Sequence, residues 1–83
     1  MKKFHLKVRV RLKDGILDPE AIAISKALER LEFSSIKKLK TEKIFHLEIE
    51  SESESHALDQ AREAASKLLA NVVMENFDVE AIS

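Results

Sequence analysis

The chain has 83 residues, with 14 basic and 15 acidic side chains, a formal net charge of −1 and a hydrophobic fraction of 45%. That length makes one small domain over residues 1–83, and the near-zero charge argues against a dedicated nucleic-acid binder. With no cysteine, disulfides, thiolate metal sites and cysteine catalysis are excluded, and no apolar run approaches the ~18 residues of a membrane span.

Residues 3–12 alternate, with Phe4, Leu6, Val8, Val10 and Leu12 on one face and Lys3, His5, Lys7, Arg9 and Arg11 on the other. Period two over this length predicts a half-buried strand. A turn follows, and residues 19–32 read as a helix with Ala21, Ile24, Ala27, Leu28 and Leu31 on one side. Residues 34–40 predict a weaker strand without clean alternation. Residues 43–50 predict a firmer one, with Phe45, Leu47 and Ile49 set against His46, Glu48 and Glu50. Ser51 to Ser55 is a polar loop whose last serine is placed to cap the next helix.

Residues 56–71 give the clearest helical pattern: Ala57, Leu58, Ala61, Ala64, Ala65, Leu68 and Leu69 share one arc, and Asn71 is suited to end it. A last strand is expected over residues 73–80, with Phe77 and Val79 inward. The order β-α-β-β-α-β predicts an α+β two-layer sandwich. Its four-stranded sheet, antiparallel or mixed, would carry both helices on one face, a ferredoxin-like arrangement or a close relative. Strand neighbours in such a sheet would set Lys7, Arg9 and Arg11 against His46, Glu48 and Glu50, opposite charges that favour the pairing.

Catalytic equipment is sparse. A single glycine cannot build a phosphate-cradling loop or a dinucleotide fingerprint, and no serine has a nucleophile-elbow setting. The histidines at 5, 46 and 56 lack metal-ligand spacing and read as solvated. Glu48 and Glu50 share a strand face, but nothing around them suggests a pocket that would shift a pKa. The expectation is no catalytic residue, no metal and no cofactor on this chain. Instead, Ile22 falls on the wet side of its helix, just after a turn that exposes Ile16 and Leu17. With Met74 on the outer face of the last strand, these residues are the candidate contact patch.

The one glycine and the one proline stand close together in Lys13-Asp14-Gly15-Ile16-Leu17-Asp18-Pro19-Glu20. Gly15 suits a tight exit from the first strand, Asp18 an N-cap, and Pro19 the first helical position, where its missing N–H is no loss. The segments Val8 to Pro19 and Lys67 to Glu80, with Lys43 before the third strand, resemble the PurS family. These are small subunits of phosphoribosylformylglycinamidine synthase (formylglycinamide ribonucleotide amidotransferase, EC 6.3.5.3). The family-marking positions are Gly15, Asp18, Pro19, Lys43 and Asn71, with Lys43 the better contact candidate. The chain departs from the pattern at Val72, where many relatives have proline, and at Glu42, where many have glycine. Glu20-Ala21 also replaces a common Gln-Gly pair.

The resemblance implies a non-catalytic accessory subunit in purine biosynthesis. It would bridge a glutaminase and an ATP- and Mg-dependent synthetase, support ammonia transfer between them, and itself be a homodimer or homotetramer. A cytoplasmic protein without nucleic-acid or membrane partners is expected. Two other classes compete: a small-molecule-sensing domain of the ACT type, which shares the β-α-β-β-α-β order, and a dimerisation module with unrelated partners.

Overall fold

A computed structural model describes residues 1–82. Strand β1 (Lys2–Leu12) is central in the sheet, with β2 (Lys43–Ser51) on one side and β3 (Glu75–Ile82) on the other, both antiparallel to it. Helix α1 (Pro19–Arg30) connects β1 to β2, and helix α2 (Glu54–Ala64) connects β2 to β3. The alternating apolar residues of the strands meet on one face. Leu6 lies opposite Leu47 and Ala81, and Val8 lies opposite Phe45 and Val79.

α2 covers that face through a stripe of small side chains. Ala57, Ala61 and Ala65 are fully buried, as are Leu6 and Val8 beneath them. Methyl-sized side chains let the helix axis approach the sheet closely, so the core is thin. After Ala64 the helix widens into a π turn (Ala65–Leu69), closed by Ala70 N–H donating to the Ala65 carbonyl at 2.9 Å. The wider turn carries Ala70 into the core and rotates Leu68 outward, leaving it 83% exposed. Leu68 therefore drops out of the apolar arc that α-helical spacing assigns it. Ala64 is exposed as well.

Four expectations are corrected. The sheet of the described residues has three strands, not four, because residues 34–40 form no strand. Ile36 and Leu39 are spaced by three, with Lys37 and Lys38 between them, so the segment offers no period-two face to bury. Nor do both helices lie on one face. Among the described residues only α2 packs on the sheet, while α1 projects from its end and residues 31–42 run back from it. The molecule is accordingly 53 × 27 × 14 Å, with a radius of gyration of 16.6 Å. A compact chain of this length would have about 12 Å.

Third, Ser53 and not Ser55 caps α2: its Oγ accepts from the His56 N–H at 3.2 Å, and the helix begins at Glu54. Fourth, antiparallel pairing sets Glu48 against His5 and Glu50 against Lys3, leaving only Lys7 with its expected neighbour His46. Two of the acids that neutralise the basic strand come from β3, and Glu42, just before β2, pairs with Arg9 at 3.7 Å. Lys7 pairs with Glu80 at 2.8 Å and Arg11 with Asp78, while Lys3 meets Glu48 of β2 at 3.5 Å.

Candidate functional site

β1 ends at Leu12, and the chain must reverse direction within a few residues to start α1. Gly15 supplies the turn with φ of 83°, a left-handed conformation open to it without a Cβ clash. No atom lies within 4 Å of where a Cβ would stand, so its need is conformational rather than one of space. Asp18 then caps α1, its Oδ1 accepting from the Ala21 N–H at 3.0 Å, and Pro19 takes the first helical position. The other oxygen, Oδ2, accepts from the Thr41 hydroxyl. These bonds hold the Asp18 carboxyl below the usual aspartate range, with the Thr41 bond the largest cause and the Ala21 bond next.

The Asp18–Thr41 bond brings residues 39–42 against the turn and closes the base of the arm. Between them lies an open cleft of about 660 Å³, lined by Arg11, Lys13, Gly15, Lys40 and Asn76 among others. On the other side of the turn a groove of about 370 Å³ joins Ile16, Leu17 and Ile22 to Leu39. Ile16 and Ile22 are each 41% exposed and Leu17 is 78% exposed, so three of the candidate contact residues gather in one place.

Met74 is tied to the same end of the sheet, since its carbonyl accepts from the Lys13 N–H at 2.9 Å. Asn71 sets that segment's course. Its Oδ1 accepts from the Val73 N–H at 3.1 Å, its carbonyl accepts from Met74 and Glu75, and its own N–H donates to Glu75 Oε1 at 2.7 Å. β3 therefore starts at Glu75 and not at residue 73. Lys43 opens β2 opposite Val10 and stands apart from the groove, over a smaller cleft shared with Glu20 and Glu75.

Leu39 escaped the sequence reading because its segment, residues 34–40, looked like strand. Thr41 lies 23 residues from the carboxylate it binds, and no local pattern signals such a bond. Among the described residues, no group of three His, Asp or Glu side chains is placed to hold a metal ion. His5 and His46 lie on the open sheet face, opposite Glu48 and Lys7. Among the described residues no helix is long and apolar enough to cross a membrane.

A thin sheet under one helix, with a capped arm and uncovered apolar side chains at its base, defines a small α+β domain. A family model for PurS, described as phosphoribosylformylglycinamidine (FGAM) synthase, matches residues 5–83, and the chain belongs to that family. The phosphoribosylformylglycinamidine synthase subunit PurS of Archaeoglobus fulgidus is 40% identical over 72 residues, covering 87% of this chain and 90% of that one. A crystal structure of Methanocaldococcus jannaschii PurS, one of the subunits of formylglycinamide ribonucleotide amidotransferase in the purine biosynthetic pathway, superposes with a TM-score of 0.85. The match is 31% identical and covers 96% of both chains. A chain of PurLQS from Thermotoga maritima gives a TM-score of 0.88 at 29% identity, covering 99% of this chain and 100% of that one. The protein is thus a PurS subunit of FGAM synthase, the purine-biosynthetic enzyme of class EC 6.3.5.3.

Proposed function

We propose that this chain is the accessory subunit that joins a glutaminase to an ATP- and Mg-dependent synthetase. In this role it assembles as a homo-oligomer, works in the cytoplasm and supports the passage of ammonia between the two active sites. Ammonia released into water at neutral pH is largely protonated and loses its nucleophilic lone pair, so a bridging subunit contributes by keeping the two sites apposed and the path between them covered. ATP and Mg belong to the synthetase in this scheme. The chain itself supplies surfaces.

The observation that carries the reading is the match over nearly the whole chain to a component of the Thermotoga PurLQS structure. The apolar groove of Ile16, Leu17 and Ile22 beside the arm supports it, as a surface suited to a partner. The ligand-sensing alternative rested on a β-α-β-β-α-β order and on the Gly15 turn after the first strand; the observed order lacks the expected second strand, though the turn is present.

The test is recovery of the tagged chain from its host's lysate in the presence of glutamine and Mg-ADP, read by mass spectrometry. Recovery of a synthetase together with a glutaminase is the expected result. Recovery of neither under gentle washing overturns the reading.

A further inference from the structure

The six ion pairs among the described residues have their basic member on β1, on α2 or on the π turn after it. None involves Lys26, Lys37, Lys38 or Lys40, the lysines at and beside the groove between α1 and its return segment. Lys26 borders the groove from the helix and Lys40 from the return, both exposed, and Lys37 and Lys38 directly precede Leu39 in its wall. Two acids border it as well. Asp18 directs its carboxylate to the positive end of α1 and to Thr41, so its charge is largely offset where it stands. Glu29 alone is left against four lysines. On a chain whose net charge is −1, this rim is a local excess of positive charge, and its members repel one another.

The floor beneath that rim is apolar. Ile16, Leu17 and Ile22 are exposed and Leu39 is half-buried, around a volume of about 370 Å³. This side of α1 carries Ile22, Lys26 and Glu29, and lies opposite the stripe of Ile24, Ala27 and Leu31. Its occupant is thus independent of whatever covers the stripe. An apolar floor with a basic rim fits a protein segment that carries apolar side chains between carboxylates. No aromatic ring lines the groove for a base to stack on, which sets a single-stranded nucleic acid aside. A groove this small is one anchor within a larger contact, since stable partners bury about 800 Å² each.

We propose that the groove docks an acidic segment of one other subunit of the enzyme, its apolar side chains seated on Ile16, Leu17, Ile22 and Leu39 and its carboxylates meeting Lys26 and Lys40. This rests on the accessory-subunit reading above and deepens it, by giving one contact of the bridge a place and a chemistry.

The complex of this chain with synthetase and glutaminase, purified from the host, is treated with a carbodiimide, which joins an amine to a carboxylate in contact with it. Peptide mapping should find Lys26 or Lys40 joined to aspartate or glutamate of one partner subunit. An assembled complex without such links overturns the proposal, as do links from these lysines to a second copy of this chain. The combined variant Lys26→Gln and Lys40→Gln changes only exposed side chains, so the circular dichroism spectrum should not change. Its affinity for that subunit should fall at least tenfold at low salt. The difference should nearly vanish at about 1 M salt, where the screening length is about 3 Å. Unweakened binding overturns the proposal, and so does a loss of self-association in place of subunit binding. Failure of the unmodified chain to assemble with either subunit overturns the accessory-subunit reading and the groove assignment with it. Assembly without the cross-links overturns the groove assignment alone.

Discussion

Thr41 donates its hydroxyl to the same Asp18 carboxylate that caps α1, so one side chain fixes both the start of the arm and the return of the chain from it. The carboxylate is held below its ordinary value of 3.8 by these bonds, that from Thr41 foremost. A carboxyl whose folded-state pKa is depressed contributes stability that is complete above its unfolded value and is lost as pH falls through the folded value. The thermal midpoint should therefore be level from pH 7 to about pH 5 and decline below the usual aspartate range near 3.9. Asp18→Asn, measured at the same protein concentration, should show a shallower acid decline. Glu80 beside Lys7 and Glu63 beside Lys67 also titrate low and contribute in the same window, so the variant reduces the slope without abolishing it. An identical slope in the variant would show that the Asp18 bonds do not persist in solution.

The two left-handed residues among those described make opposite predictions. Glu32 has φ of 69° at the end of α1, where Phe33 N–H reaches the Leu28 carbonyl and Glu32 N–H the Glu29 carbonyl. That bond pair is a Schellman cap with glutamate in the position that favours glycine. Glu32→Gly should stabilise the protein by about 1 kcal/mol, while Gly15→Ala should destabilise it by about 1–2 kcal/mol through backbone strain alone. Urea unfolding of both variants checks the pair.

Ser51 sits at the end of β2 with 2% exposure, and its buried hydroxyl finds no hydrogen-bond partner among the described residues. A buried unsatisfied hydroxyl is costly, and removing it leaves only a small void. Ser51→Ala should raise the unfolding free energy by about 1 kcal/mol. A loss of stability instead would indicate an ordered water completing the hydroxyl's bonds.

Ala61 is fully buried at the middle of the stripe that sets the distance between α2 and the sheet. Ala61→Leu should destabilise by about 1–3 kcal/mol, because the extra carbons have to lift the helix off Leu6 and Val8. A variant at Gln60, exposed on the same helix, serves as the control for helix propensity.

The strands β1 and β2 were legible because each buries one face, and alternation then follows directly. The turn into α1 was legible because Gly15, Asp18 and Pro19 each solve a local problem of backbone conformation or hydrogen bonding. The α1 stripe was read as a face buried on the chain's own sheet, whereas Ile24, Ala27 and Leu31 are exposed, because periodicity marks a face without saying what it packs against. Residues 34–40 were misread because Ile36 and Leu39 are spaced by three, so the segment has no period-two face to bury. The π turn that rotates Leu68 outward leaves no mark in a pattern read at constant α-helical spacing. The far end of α1 lacked its usual signal, since glutamate stands where glycine marks a helix stop.

The central claim is that the chain couples glutamine hydrolysis to synthesis, and reconstitution measures that coupling most directly. Synthetase and glutaminase from the same host are assayed for turnover with glutamine and, separately, with ammonium salt, each with and without this chain. The accessory-subunit role predicts that glutamine-dependent turnover rises at least tenfold when the chain is added, while ammonia-dependent turnover barely changes. Equal glutamine-dependent turnover in its absence would contradict that role.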